Sequence, residues 1–145
     1  MKYFTFSELT SSATARKKGI SNVPTDEHKL NLELLVDNVL DPLREAIGSP
    51  IIVSSGYRSD DLNAAVGGVK KSQHGKGQAA DIVAKVTSDN FKLFNYIKDN
   101  LIFDQLIWEK GDDSNPAWIH VSFSSFRNRK EVLKTKNGVN YTRIT

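Results

Sequence analysis

The sequence predicts an α+β fold in which N-terminal helices pack on a small, mainly antiparallel sheet. Three observations carry this expectation. Apolar residues recur at helical spacing in the first 48 residues, whereas several later runs are short, apolar and rich in β-branched residues. The last two long runs, FDQLIWE (103–109) and WIHVSF (118–123), are joined by the turn-rich link KGDDSNPA and read as an antiparallel hairpin. Helices also gather first and strands later, unlike the regular alternation of a doubly wound sheet. The 145 residues are read as one domain, with a helical part over 1–48, a core over 50–123 and a basic tail over 124–145.

Each element has a local reason. FSELTSSATARKKG reads as a short helix ending at Gly19, capped by Ser7 or Thr10. Residues 25–47 form the main helix: Thr25 or Asp26 caps it, and Leu32, Leu35, Val36, Val39 and Leu43 share a face. Pro42 kinks it or ends its regular part, and Gly48 stops it. PIIVSSG (50–56) is a strand, and SDDLNAAV (59–66) is a short helix capped by Ser59 and ended by Gly67 and Gly68. ADIVAKV (80–86) is a second strand, and Ser88 to Asn100 is a helix with Phe91, Phe94, Tyr96 and Ile97. After the hairpin, 131–134 and 139–144 read as short edge strands.

Hydrophobic content is 39% and charged content 26%, as in an ordinary globular domain. The absence of cysteine excludes disulfides and thiolate metal sites. No apolar run approaches the roughly 20 residues of a membrane helix, so no membrane span is expected. MKYFTFSELT lacks the apolar core of a signal peptide, so synthesis in the cytoplasm is expected. Net charge is +3, with Arg127, Arg129, Lys130, Lys134, Lys136 and Arg143 set against only Glu131 near the C-terminus. This excess reads as a solvated face or as an attraction to a polyanion such as an anionic cell-wall polymer. No nucleic-acid-binding motif accompanies it, so nucleic acid is not an expected partner.

The segment SQHGKGQAAD (72–81) packs no core, yet it sets His74 and Asp81 at the ends of a flexible run. Gly75 and Gly77 let the chain turn back so that both ends can meet one ion, and Ala79 and Ala80 keep bulk out of the way. In WIHVSF, alternation puts Ile119, Val121 and Phe123 toward the core and Trp118, His120 and Ser122 on the other face. Imidazole and carboxylate are good zinc ligands, and three protein ligands with one open position are the layout of a catalytic site. The candidate set is His74, Asp81 and His120. His28, at the start of the main helix, is read as a surface residue.

SGYRSDDLNAAVGG (55–68), SQHGKGQAAD and WIHVS, in this order, resemble the zinc D-Ala-D-Ala carboxypeptidase family. That family shares a fold with hedgehog signalling domains and with peptidoglycan-cutting phage endolysins, and FDQLIWE is similar to its small single-domain members. The resemblance implies one zinc ion per chain on His74, Asp81 and His120, with Arg58 gripping a substrate carboxylate and Ser72 near the substrate. It implies hydrolysis of an amide bond in a peptidoglycan stem peptide by a monomer acting on the cell wall. The bond is either that of a D-Ala-D-Ala carboxypeptidase or that of an L-Ala–D-Glu endopeptidase. A zinc-containing binding module of the same fold is the alternative. Relatives place an acid three positions before the last zinc histidine, or a histidine two before it; here those positions are Ala117 and Trp118. Glu109 is the expected general base instead. It shares a strand face with Gln105 and Ile107, and a hairpin pairing Glu109 with Trp118 makes it the diagonal neighbour of His120. Asp112 and Asp113 are weaker alternatives. Gln105 and Trp118 are expected substrate contacts on this face.

Overall fold

A computed structural model describes residues 1–144. The fold is α+β, with helices against one face of a six-stranded, mostly antiparallel sheet. The stretch expected as one helix over 6–19 is two, α1 (Phe6–Thr10) and α2 (Ala13–Lys18). Ser11 and Ser12 are the break, because the Ser12 hydroxyl accepts the Ala15 N–H and starts a new helix. The cap of α1 is Thr5 in a capping box with Glu8, rather than Ser7 or Thr10.

The main helix begins as α3 (Asp26–Leu35) under a Thr25 cap, widens to a π-helical stretch over Val36–Leu40, and continues as α4 (Asp41–Ile47). Pro42 sits at the start of α4, where its missing N–H cannot join an α ladder, so the chain widens just before it rather than ending. Gly48 stops it with φ of 70°. Leu32, Leu35, Val36, Val39, Leu40 and Leu43 are all fully buried. Truncating one such leucine to alanine costs about 2–5 kcal/mol in typical cores.

Strands β1 (Ile51–Ser55), β2 (Ala79–Ala84), β3 (Gln105–Glu109), β4 (Trp118–Ser122), β5 (Glu131–Thr135) and β6 (Tyr141–Arg143) pair in the order β1-β2-β4-β3-β5-β6. Helix α5 (Asp60–Ala65) follows β1 under its Ser59 cap, and α6 (Asn90–Asn100) follows β2. The β3–β4 hairpin is antiparallel as expected. The strand expected at the edge over 131–134 instead lies inside the sheet, parallel to β3, and only β6 is at that edge. The pattern EVLKT carries no mark of its neighbour, because register and direction come from the crossover before it. The described part of the segment 124–145 supplies two of the six strands, β5 and β6.

Strand alternation divides the sheet. Ile82, Leu106, Trp108, Ile119 and Val121 join the helices in the core. Asp81, His120, Ile107 and Leu133 pair across successive strands on the opposite face. No helix among the described residues is long and apolar enough to cross a membrane.

Candidate metal centre

Asp81 on β2 lies directly opposite His120 on β4. His74 reaches the same point from a single 3₁₀ turn, Gln73–Lys76, that leads into β2. Sequence chemistry builds this turn. The Ser72 hydroxyl accepts the His74 N–H at 3.2 Å, and Gly77 closes the turn with φ of 74°. A side chain at Gly77 would run into the His28 carbonyl, so the turn needs glycine for both conformation and space. Gly75, expected to share this task, has no positive φ and sits inside the turn. His28 is half-buried rather than a plain surface residue: its ring accepts the Thr25 N–H and lies 4.7 Å from the Tyr57 ring.

The donor atoms of His74, Asp81 and His120 lie within 4.8 Å of one another. Asp81 Oδ1 is 3.4 Å from His74 Nε2 and 3.2 Å from His120 Nδ1. Two ligand atoms on a tetrahedral zinc ion, each about 2.0–2.1 Å from it, stand roughly 3.3 Å apart, so the donor set fits this metal. His74 Nδ1 is 2.7 Å from the Gly56 carbonyl oxygen, which can only accept. That carbonyl therefore accepts a hydrogen bond from Nδ1 and turns Nε2, the other ring nitrogen, toward Asp81. Burial opposes ionisation of Asp81, but hydrogen bonds with His120 and His74 outweigh it and hold the carboxyl well below the ordinary range.

Glu109 pairs with Trp118 and Ile107 with His120, so Glu109 is the diagonal neighbour of His120. Only 8% of Glu109 is exposed. Burial pushes its carboxyl upward and Asp81 adds to this, while His120 and Lys110 pull partly back. Ala117 closes the hairpin, donating its N–H to the Glu109 carbonyl, and its own carbonyl accepts from the Asn90 side chain. The two loop acids are engaged elsewhere: Asp112 accepts the Ser114 and Asn115 N–H groups, and Asp113 pairs with Lys134 at 2.8 Å.

Arg58 is tied to the turn by its backbone N–H, which donates to the His74 carbonyl at 3.1 Å. Burial lowers its pKa and Asp81 acts against this, while its Nε is buried without a hydrogen-bond partner. An orphaned guanidinium N–H at a cleft wall can donate to an acceptor on a ligand. Ser72, Gln105 and Trp118 line the same cleft, whose volume is about 970 Å³. Ser72 is occupied as a turn cap, and Gln105 donates to Glu131 at 2.8 Å.

The cleft has walls that the sequence patterns did not mark. Asp104, just before β3, is 5% exposed and receives Arg129 Nε at 2.8 Å, Arg129 Nη2 at 3.0 Å and Gln73 Nε2 at 3.0 Å. Tyr141 on β6 also faces the cleft; burial raises its phenol pKa, and the charges of Glu109 and Asp81 add to this. Lys110, Leu133 and Phe126 also line the cleft. The Asp in FDQ was the one visible signal, a carboxylate at the mouth of an apolar strand. A family model described as Peptidase M15 matches residues 2–122. No curated protein matches the chain.

Proposed function

Since the chain belongs to the Peptidase M15 family of zinc metallopeptidases, we propose that it hydrolyses an amide bond in peptidoglycan stem peptides, as a cell-wall lysin of phage or prophage type. The observation that carries this reading is the convergence of His74, Asp81 and His120 beside a buried Glu109 in one cleft. His74, Asp81 and His120 would hold one zinc ion per chain, which when bound supplies a Lewis acid for the scissile carbonyl and for the attacking water.

The remaining steps belong to the chain. Gly56 holds the His74 ring in one tautomer and orientation. Arg58 grips a substrate carboxylate, its planar fork giving two parallel hydrogen bonds. Glu109 takes a proton from the attacking water and delivers it to the leaving amine. Burial raises its pKa, which favours uptake of that proton. Trp118, Gln105 and Ser72 shape the cleft around the peptide.

The bond cut is that of a D-Ala-D-Ala carboxypeptidase or an L-Ala–D-Glu endopeptidase. The protein acts as a monomer on the cell wall after cytoplasmic synthesis. Arg129, Lys134 and Arg143 form internal ion pairs, so an anionic wall polymer would meet Arg127, Lys130 and Lys136. Incubation of the zinc-loaded protein with defined muropeptides, with products read by mass spectrometry, tests the reading and names the bond. A fully loaded protein that leaves every muropeptide intact would be a binding module rather than a peptidase.

A further inference from the structure

Lys110 is an unusual residue for its place. It follows Glu109 directly and has φ of 54°, in the left-handed region that a lysine seldom enters. Its conformation is held from several sides. The backbone N–H donates to the Thr135 carbonyl at 2.8 Å, at the end of β5. The aliphatic stem runs beside Gly138, where a Cβ would sit 3.6 Å from Lys110 Cε. The ammonium stands 5.5 Å from the centre of the Trp118 ring. Among the described residues it has no ion-pair partner. A strained backbone, a supported stem and an unpaired charge on a cleft wall are features of a binding position.

Topology sets where that charge lies. Strands β1 and β3 run in opposite senses, because three successive antiparallel pairings separate them. Arg58 lies just past the end of β1, and Lys110 lies at the end of β3. The two cations are thus at opposite ends of the sheet, with Asp81 and His120 on the strands between them.

We propose that Lys110 is a second carboxylate-binding residue, and that the substrate is a peptide bearing acidic groups on both sides of the scissile amide, one for Arg58 and one for Lys110. This rests on the peptidase reading above and narrows its substrate class.

The test uses the pentapeptide L-alanyl-γ-D-glutamyl-meso-diaminopimelyl-D-alanyl-D-alanine and the forms in which each carboxylate in turn is a carboxamide. For the wild type, amidation of either bound carboxylate should lower kcat/KM by about 10- to 100-fold, the usual weight of a charge-assisted hydrogen bond, and Arg58→Lys should keep that penalty for one of them. Lys110→Met should cut that amide and its parent equally, and Lys110→Arg should restore the discrimination. Lys110→Asn, which suits left-handed backbone, serves if Lys110→Met fails to fold. Retention of every wild-type carboxylate preference in the Lys110 variants would overturn the proposal. If the wild type leaves this pentapeptide and every other muropeptide uncut, the hydrolytic reading fails on its own. Calorimetric binding of the same peptides then judges Lys110: carboxylate-dependent affinity lost with Lys110→Met supports it, and affinity retained or absent throughout overturns it.

Discussion

Glu109 is nearly buried, and nothing in its surroundings neutralises it outright. A carboxylate in that position is costly to the fold unless it works. Glu109→Gln keeps the shape and removes the basicity. We expect it to bind zinc normally while muropeptide hydrolysis falls by about 10²–10⁴-fold, the usual worth of a positioned acid–base group. Asp112→Asn and Asp113→Asn, in the hairpin loop, should leave the rate close to wild type. Steady-state kinetics on one muropeptide decides between them. At this scale much was legible, because strand alternation alone puts His120 and Glu109 on one face and hairpin pairing makes them neighbours. Lys110 was not legible: its meaning comes from a backbone angle and from Gly138 and Thr135, which no local pattern links to it.

Two glycines separate conformation from space among the elements. Gly48 has φ of 70° and open space where a side chain would point, so Gly48→Ala should cost only the left-handed penalty, about 1–2 kcal/mol. Gly77 adds a backbone clash with His28 in the turn that aims His74. Gly77→Ala should therefore destabilise more than Gly48→Ala in chemical denaturation, and should also weaken zinc binding. The crossover from β4 to β5 gives a pH signature. Burial works against ionisation of Asp104, but hydrogen bonds from Arg129 and Gln73 outweigh it and hold its carboxyl below the ordinary range. A depressed carboxyl stabilises the fold above its unfolded pKa, about 3.9, and loses that contribution as pH falls through the folded value. The stability gap between wild type and Asp104→Asn should thus be full at neutral pH and shrink below about pH 4. Denaturant midpoints across that range measure it. Helix caps such as Thr25 and Ser59 were readable because the partners of a cap lie within one turn. The place of β5 was not, since its partner β3 is separated from it by the hairpin and the crossover.

On the scale of the molecule, zinc should act as part of the fold. The three donors come from the turn before β2, from β2 and from β4, so an ion bound by all of them favours the folded chain. With free zinc about a thousandfold above its dissociation constant, stabilisation of about 4 kcal/mol is expected, a rise in melting temperature on the order of 10 °C. Calorimetry with and without a chelator measures it, and the double variant His74→Ala, His120→Ala should show no zinc response. The α+β class was plain from the sequence because it needs only the order of patterned segments, whereas the sheet order depends on which strand the crossover skips. That crossover also governs motion. Arg129 N–H bonds to the Asp104 side chain, Lys130 N–H to Phe103 and Glu131 N–H to Asp104, and β6 is attached to the molecule chiefly through β5. Loss of this buckle would release β5 and β6 together, as one cooperative unit. Amides from 129 to 135 and from 141 to 144 should then exchange with solvent deuterium at a shared opening energy, lower than that of β2 and β4. Each such opening would briefly remove one wall of the cleft while the metal ligands stay in place.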